Sequence, residues 1–445
     1  MMKSPRQLAI TVLLTAAQKG QPVDQIFDWQ QAGQPLGDPR DTQLAMAMVY
    51  GVLRWQGYLD HVLAGFSSHP PAKMKPLTLV ALRVGAYQLL FMDRVPPSAA
   101  INETVEALKA AGQPRWLTGF ANGVLRSLAR GKDEVLLPTS REAIWLSHPA
   151  WLVSRWRQRY GDEIAEAICR ANSEQPPLVL RINTRRTTWQ VYLHALAEAG
   201  IEAVAGSYVP DAVRLVGYRG GVTELPGYAE GLFQVQDEAA QLATLLLGEL
   251  TAGRYLDACA GLGGKTTHLA QRLPPGGEVV AVEPHQGRGQ RLRENLKRLG
   301  LVATIFTGEL QAFAHKQPQP FHGILIDAPC SGLGVVGRQP DIRWQRREAD
   351  LPRYAKRQRK LLDQATTLLA PGGVLIYATC STEPEENDDV VNAFLASHPD
   401  FALADAKALL PASSHVLVDG QGCLRTLPHQ GLDGFFAVRL EKKGP

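Results

Sequence analysis

From residue 236 onwards, short apolar runs alternate with longer segments of helical spacing, and this alternation constrains the fold more than any other feature. The apolar runs are 254–258, 278–282, 303–306, 323–326 and 374–377, and the predicted helices are 236–247, 265–272, 287–299 and 352–369. Such alternation is typical of a doubly wound, largely parallel sheet. The sequence therefore predicts an α/β fold for this part of the chain.

Two of these runs end in a polar turn that carries a cysteine. The run before Asp327 leads to Cys330, and the run that ends at Tyr377 leads to Cys380. The carboxyl ends of parallel strands meet at one edge of the sheet, where open α/β proteins bind ligands. The pair predicts thiol chemistry on a bound ring, although a buried cysteine taken alone usually serves only in packing.

A glycine turn follows the first run, in the segment Cys259-Ala-Gly-Leu-Gly-Gly-Lys265. Missing side chains let the backbone approach a ligand, and the start of the next helix attracts negative charge. Glu283 ends the following strand, where a carboxylate can accept both ribose hydroxyls of a nucleoside cofactor. The turn lacks the spaced glycines of nicotinamide enzymes, and Cys259 stands where a phosphate loop requires glycine. S-adenosylmethionine suits this pattern best, and close helix packing is the alternative explanation of the glycines.

Composition narrows the class of protein. The chain has 445 residues and a formal net charge of +4, which predicts two or three domains and requires local basic patches for polyanion binding. Its five cysteines form no CxxC pair, which argues against a disulfide framework and a zinc site and favours a reducing cytoplasm. No apolar run reaches the ~18 residues of a membrane helix. The segment 8–17 loosely resembles a signal peptide, but an amphipathic helix is favoured.

The first half of the chain predicts two further regions. Residues 1–140 show helical spacing broken by turn signals, which indicates a bundle of five to seven helices, and 145–235 predict a small α+β subdomain. Basic residues in three places are candidate RNA phosphate contacts, with ordinary surface charge as the alternative. They are Lys73, Lys75, Arg83, Lys109, Arg115, Arg126, Arg130 and Lys132; Arg181, Arg185 and Arg186; and Arg338, Arg343, Arg346, Arg347, Arg353, Lys356, Arg357, Arg359 and Lys360.

The cysteine segments Asp327–Gly334 and Ala378–Ser381 resemble paired motifs of the RNA cytosine-5 methyltransferases, the NOL1/NOP2/Sun family. The glycine turn is similar to the cofactor motif of that family, which usually reads Cys-Ala-Ala-Pro-Gly-Gly-Lys. Further segments that resemble family signatures are Arg181–Thr184, Gln236–Ala240, Pro340–Trp344 and Asp433–Phe436. The helical N-terminal region resembles NusB-like RNA-binding domains.

The resemblance implies three domains: an all-α NusB-like domain (1–140), a small α+β RNA-binding subdomain (145–235) and a Rossmann-like S-adenosylmethionine-dependent methyltransferase domain (236–445). This combination resembles bacterial family members that methylate C5 of a cytosine in 16S ribosomal RNA, by resemblance cytosine 967. The implied partner is 16S ribosomal RNA or an early 30S assembly intermediate, with no membrane, for a monomer in the cytoplasm.

The resemblance also implies residue roles. Cys380 is the nucleophile and Cys330 helps to resolve the adduct. The implied cofactor lining is Cys259, Ala260, Gly261, Leu262, Gly263, Gly264, Lys265, Glu283, Glu309 and Asp327. The chain departs from the family where Gly261-Leu262 replaces Ala-Pro and where Glu283 and Glu309 replace aspartates. Each longer carboxylate must be set back to make the same hydrogen bond.

The chemistry of such a transfer assigns two more roles. A thiolate that adds to C6 of cytosine makes C5 nucleophilic, but a free thiol is only a few per cent ionised at neutral pH. Lys265 is therefore the candidate source of positive potential, and Asp327 is expected to hydrogen-bond N3 and the exocyclic amine. The alternatives are another RNA substrate (23S rRNA or tRNA), a nicotinamide oxidoreductase and a non-catalytic RNA-binding factor. The last two leave the cysteine motifs unexplained.

Overall fold

The computed structural model of the chain describes residues 4–316 and 319–444. The chain divides into two compact units. Unit 1 contains residues up to 175 together with 336–348, and unit 2 contains 176–335 and the residues from 349 onwards.

The described residues form helices and strands with the following bounds. The helices are α1 (Pro5–Lys19), α2 (Val23–Gly33), α3 (Pro39–Phe66), α4 (Pro76–Phe91), α5 (Pro97–Ala110), α6 (Arg115–Gly131), α7 (Arg141–Leu146), α8 (Ala150–Ser173), α9 (Trp189–Glu198), α10 (Glu238–Leu245), α11 (Gly264–Arg272), α12 (Gln286–Leu299), α13 (Leu310–Ala314), α14 (Ile342–Gln345), α15 (Leu351–Thr366) and α16 (Asp388–Ser397). The strands are β1 (Val179–Ile182), β2 (Ala203–Ala205), β3 (Ala212–Leu215), β4 (Phe233–Val235), β5 (Arg254–Asp257), β6 (Glu278–Glu283), β7 (Thr304–Thr307), β8 (Phe321–Asp327), β9 (Leu369–Thr379), β10 (Phe401–Ala404), β11 (Leu424–Thr426) and β12 (Phe435–Lys442).

Unit 1 is helical, which confirms the predicted bundle. The residues that showed helical spacing in the sequence lie in its core: Leu8, Val12 and Ala16 of α1 and Ala121, Val124, Leu125 and Leu128 of α6 are buried. Helix α1 begins at Ser4, whose hydroxyl accepts a hydrogen bond from the backbone N–H of Gln7, an N-cap that favours helix formation. None of the described helices is both long and apolar enough to cross a membrane.

The segment 336–348 completes the core of unit 1. Arg343 is fully buried, and its guanidinium donates hydrogen bonds to the backbone oxygens of Arg54 (3.2 Å), Ser147 (2.9 Å) and Asn172 (2.7 Å). The indole N–H of Trp344 donates to the backbone oxygen of Leu53 at 2.7 Å. The interpretation of Arg343 as an RNA contact is therefore wrong, because its side chain is buried and both of its terminal nitrogens donate inside the unit.

Unit 2 begins with a small antiparallel sheet whose strand order is β2-β3-β1-β4. Helix α9 covers one face of it, with Leu180, Ile182, Tyr192 and Phe233 in the core. Arg181 alternates with these residues along β1 and is also buried, at 1% exposure. Its interpretation as a phosphate contact is wrong as well.

The large sheet of unit 2 has the strand order β10-β12-β9-β8-β5-β6-β7, and β11 pairs with β12. Strands β5 to β9 are parallel, which confirms the predicted doubly wound fold, whereas β10 and β12 add an antiparallel edge. Successive residues such as Tyr255 and Leu256 lie in two separate hydrophobic cores, because neighbouring residues of a strand point to opposite faces.

The passage from α15 to β9 differs from the prediction. The helix ends at Thr366 rather than at Leu369, and the strand already includes Pro371 to Gly373. Gly372 has a φ of +71°, and the pairing with β8 shifts register at this point. A glycine in the left-handed region allows such an irregularity within a strand, whereas the apolar run in the sequence begins only at residue 374.

Candidate active site

The register of β8 and β9 places the two cysteine segments side by side. Asp327 lies opposite Ala378 in the sheet, and the N–H of Ala328 donates to the oxygen of Ala378 at 2.8 Å. Cys330 and Cys380 follow these positions closely, and their Sγ atoms are 3.1 Å apart. Both side chains are partly exposed. Two thiols thus meet at the carboxyl edge of the sheet, within reach of a molecule from outside.

Two glycines allow the cysteine segments to approach each other. Gly334 donates its N–H to the oxygen of Cys380 at 2.9 Å, and Gly434 donates its N–H to the oxygen of Gly334 at 2.8 Å. A β-carbon on Gly334 would lie 1.8 Å from the oxygen of Gly434. The segment Asp433–Phe436 therefore supports the cysteine segments from the far end of the chain.

The residues after each cysteine are joined by Glu386, a buried carboxylate that the sequence analysis missed. It accepts hydrogen bonds from the N–H and hydroxyl of Ser331, from the hydroxyl of Ser381 (2.6 Å) and from the amide of Gln358 (3.0 Å). Burial raises the pKa of Glu386, against the hydrogen bonds that lower it. The only sequence signal for this residue is the acidic run that follows Cys380.

The surroundings of Cys330 favour its protonated form. The hydrogen bond to Cys380 raises the pKa of Cys330 well above its usual value, and burial and the nearby carboxylates of Glu386 and Asp327 act in the same direction. Cys330 therefore holds its proton at neutral pH.

The glycine turn between β5 and α11 has the left-handed backbone that its sequence allows. Gly261 has a φ of +56° and Gly263 a φ of +90°. Asp257 holds the turn through its two oxygens, which accept from the N–H of Cys259 (3.3 Å) and the hydroxyl of Thr266 (2.7 Å). Burial raises the pKa of Asp257 to about 6. Burial also raises the pKa of Cys259, so its thiol stays protonated.

The predicted cofactor residues occupy different environments around this turn. Ala260 is buried and Leu262 is 47% exposed. Glu283 is buried and accepts from the N–H of Gly261 (2.9 Å) and of His285 (2.8 Å). Glu309 is exposed, precedes α13 and makes no capping hydrogen bond to that helix. The carboxylate of Glu283 is thus hydrogen-bonded to the backbone of the turn, whereas the carboxylate of Glu309 is exposed to solvent.

An ion pair lies between the glycine turn and the cysteine segments. Nζ of Lys265, at the start of α11, is 2.6 Å from Oδ2 of Asp327, at the end of β8. The same ammonium lies 5.0 Å from the ring centre of Phe435. Lys265 therefore brings positive charge to this edge of the sheet, although Asp327 balances much of it.

Helix α15 connects a basic surface to the cysteine segments. Its exposed residues include Arg353, Lys356, Arg357, Arg359 and Lys360. On its buried face, Gln358 donates to the oxygen of Pro329 at 3.2 Å as well as to Glu386. In unit 1, by contrast, two members of the predicted basic face are paired with acids: Arg83 with Asp60 at 2.6 Å and Lys109 with Glu106 at 2.7 Å.

Three family models match the chain. Residues 244–441 match the 16S rRNA methyltransferase RsmB/F model, residues 3–130 match the NusB family, and residues 148–219 match the ferredoxin-like domain of RsmF/B-like methyltransferases.

Similar proteins span nearly the whole chain. Ribosomal RNA small subunit methyltransferase B of Salmonella arizonae is 37% identical over 441 residues, and that of Sodalis glossinidius is 38% identical over 440; in both cases 98% of each chain is covered. The crystal structure of PH0851 is 25% identical and has a TM-score of 0.79, over 99% of this chain and 100% of that one.

Proposed function

Because the chain belongs to the ribosomal RNA small subunit methyltransferase B family, we propose that it methylates C5 of a cytosine in 16S ribosomal RNA through a transient bond between Cys380 and C6. The observation that carries this proposal is the thiol pair at the sheet edge, 3.1 Å apart, with one member held protonated. The Lys265–Asp327 ion pair joins it to the glycine turn.

The residues of the turn fit S-adenosylmethionine, the cofactor of the family. A β-carbon on Gly261 would meet no atom within 4 Å, so the turn leaves open space beside its backbone. The start of α11 carries no side-chain cap, which leaves its first N–H groups free for a ligand. We propose that Cys259 to Lys265, Glu283, Glu309 and Asp327 hold the cofactor, which supplies an electrophilic methyl group on a sulfonium.

The first step of the proposed reaction belongs to Cys380. Its thiolate adds to C6, an S–C6 bond forms, and the C5–C6 π electrons become available at C5 as an enamine. Asp327 keeps Oδ2 on Lys265 and accepts a hydrogen bond from the exocyclic amine of the base through its other oxygen, which orients the ring. The ammonium of Lys265 supplies positive potential for the negative charge that develops on addition. C5 would then form a bond to the methyl group of the sulfonium, and the electron pair of the broken S–CH₃ bond would stay on the cofactor's sulfur.

Release requires the loss of the C5 proton to solvent. The C5–H electron pair re-forms the C5–C6 double bond as the S–C6 bond breaks, and the departing electrons stay on Cys380. Cys330 keeps its proton and hydrogen-bonds the departing sulfur, which stabilises the thiolate that is released. Throughout these reaction steps, Glu386 holds the two cysteine segments in position. It acts as a positioning residue, because its contacts are with Ser331 and Ser381.

The target base must leave its stack to reach these sulfurs. The exposed cations of α15 support RNA backbone contact, because the same helix holds the Cys330 segment through Gln358. The proposal also includes cytosine 967 as the target and an early 30S intermediate as substrate. It further includes a monomeric state, a cytoplasmic location and three domains at 1–140, 145–235 and 236–445.

The two cysteines provide the experiment that tests the proposal. Cys380→Ser should lower methyl transfer from labelled S-adenosylmethionine to 16S RNA by about a thousandfold or more, because the nucleophile is lost. Cys330→Ser should accumulate a covalent protein–RNA species on a denaturing gel. Cys423→Ser, which removes a buried thiol of the same unit, should transfer normally. Normal transfer by Cys380→Ser, or no covalent species with Cys330→Ser, contradicts the assigned roles.

The substrate is tested separately, with the unaltered protein. Labelled transfer should occur to 16S RNA and not to 23S RNA or tRNA. A comparison of free 16S RNA with assembled 30S subunits distinguishes an early from a late substrate. Transfer to 23S RNA alone would contradict the substrate and leave the cysteine chemistry intact.

A further inference from the structure

We propose that the side-chain amide of Gln236 binds the carboxylate of the amino-acid part of S-adenosylmethionine. Gln236 immediately precedes the N-cap residue of α10 and is 7% exposed. The inference rests on the proposed function for the identity of the cofactor, and it assigns to this residue a contact outside the segment Cys259–Lys265.

The orientation of the amide is fixed by a neighbouring arginine. Nη1 of Arg181 donates to Oε1 of Gln236, and a guanidinium has donors only. The oxygen of the amide must therefore face Arg181, and the NH₂ group must face away from it. The other donors of Arg181 go to the oxygen of Gly264 (2.7 Å), Thr267 (2.9 Å) and Gln271 (3.3 Å).

The NH₂ group is buried and has no acceptor among the described residues. A buried donor without a partner is unfavourable, so such groups usually face a ligand or water. The position of this donor identifies the ligand site. A β-carbon on Gly264 would have only one neighbour within 4 Å, Nε2 of Gln236 at 3.8 Å. The amide is therefore aimed at the space beside the first residue of α11.

That space is suited to a negative charge. The first three residues of α11 have N–H groups without intrahelical acceptors, and the N-cap residue Gly263 has no side chain that could accept from them. Arg181 adds a buried positive charge whose hydrogen bonds all go to neutral acceptors. Burial lowers its pKa to about 9, so it remains charged at neutral pH.

The carboxylate is the part of S-adenosylmethionine that matches the donors of Gln236 and of the start of α11 and the positive charge of Arg181. A carboxylate accepts hydrogen bonds and carries negative charge, whereas the ammonium and sulfonium groups would be repelled by Arg181 and the helix N-terminus. A neutral ribose hydroxyl would gain little from the positive potential. The geometry therefore points to the amino-acid end of the cofactor at Gln236.

The experiment compares two ligands that differ in the amino-acid group. S-adenosylhomocysteine carries the carboxylate, and 5′-methylthioadenosine lacks the amino-acid part. Isothermal titration of the full chain with each ligand gives two dissociation constants. Gln236→Glu keeps an oxygen for Arg181 but replaces the donor by a negative oxygen. This variant should raise the dissociation constant of S-adenosylhomocysteine by about 10- to 100-fold. It should change the dissociation constant of 5′-methylthioadenosine by no more than about twofold.

Gln271→Glu is the matched control. Gln271 has the same exposure of 7% and the same arginine neighbour, but its NH₂ group donates within the chain, to Ile182 (2.9 Å) and Thr184 (2.9 Å). It should change both dissociation constants by less than about threefold. If either glutamate variant fails to fold, as judged by thermal denaturation, Gln236→Met and Gln271→Met replace the pair.

The outcomes are distinct. An unchanged constant for S-adenosylhomocysteine in the Gln236 variants overturns the proposal. Equal weakening of both ligands also overturns it, because a merely structural role would affect the whole pocket. Failure of the unaltered protein to bind S-adenosylhomocysteine would instead contradict the proposed function.

Discussion

The cysteine segments and the glycine turn lie at the same sheet edge, yet they are held in different ways. Each is tied by a buried carboxylate with a raised pKa, Glu386 in one case and Asp257 in the other. Asp257 bonds residues two and nine positions away, whereas Glu386 joins Ser381 nearby to Ser331, 55 positions away. The buried carboxylate of the glycine turn acts within a few residues, whereas that of the cysteine pair joins distant parts of the chain.

This difference indicates which amino-acid substitutions the glycine turn and the cysteine segments tolerate. The glycine turn is held by left-handed glycines, by neighbours in sequence and by separate bonds from Glu283 and Arg181, so we expect a single side-chain change to leave most of it intact. The spacing of the two sulfurs depends on Gly334, Gly434 and Glu386 together. We therefore expect transfer to be more sensitive on the cysteine side.

Among the changes that test this comparison, Gly334→Ala is expected to have the largest effect on methyl transfer. The new methyl group would lie 1.8 Å from the oxygen of Gly434, so the backbone must shift and the hydrogen bond to Cys380 must change. Overpacking of this kind costs about 1–3 kcal/mol, and misplacement of a reacting group by about 1 Å lowers transfer by about 100-fold. Urea unfolding and labelled methyl transfer measure the two effects.

Gly420→Ala is the control, because a β-carbon there meets nothing within 4 Å. It should be neutral in both measurements. If Gly334→Ala behaves like this control, close backbone contact does not set the distance between the sulfurs.

Glu386→Ala should come next. It leaves four donors without their acceptor, and we expect a loss of about 4 kcal/mol in the free energy of unfolding and a fall in kcat larger than the change in KM. Glu386→Gln should recover most of this, because the two serine hydroxyls can turn and accept from its NH₂ group. The matched control is Asp389→Ala, an exposed acid close by in sequence.

The raised pKa of Glu386 gives this substitution a pH dependence. The protonated carboxyl stabilises the folded protein at pH values below the pKa that Glu386 has in the unfolded chain. This stabilisation is lost as the pH rises through the pKa of Glu386 in the folded protein. The difference in stability between Glu386→Gln and the unaltered protein should therefore grow with pH. A difference that does not change with pH would mean that the charge is not buried in the way described.

Asp257→Asn should have the smallest effect on methyl transfer, and its effect on stability should be visible mainly as a pH dependence. The folded pKa of Asp257 is about 6, above its ordinary 3.8, so stability from the protonated form is complete near pH 4 and is lost through pH 6. This loss amounts to about 3 kcal/mol. Chemical denaturation between pH 4 and 7.5 should show it in the unaltered protein and not in Asp257→Asn. Parallel curves would contradict a buried carboxyl at the glycine turn.

The sequence predicted the parts of this site that depend on local patterns. The strands before Asp327 and Cys380 and the glycine turn were found because apolar runs and glycines act over a few residues. Glu386 was missed, and Gly434 was noted only as part of the signature segment Asp433–Phe436, because their roles arise only when distant segments meet. Arg181 and Arg343 were placed at the surface by charge alone, although backbone and side-chain oxygens accept their hydrogen bonds inside the protein.

The segment 336–348 belongs to unit 1 although most of its neighbours in sequence belong to unit 2. Its Arg343 donates hydrogen bonds to the backbone oxygens of Arg54, Ser147 and Asn172, and these bonds cannot form before Arg343 is present. During synthesis, unit 1 therefore stays incomplete until the ribosome has passed residue 348. Its last packing step must wait until much of the second unit has already emerged, so the two units mature in overlapping rather than successive stages.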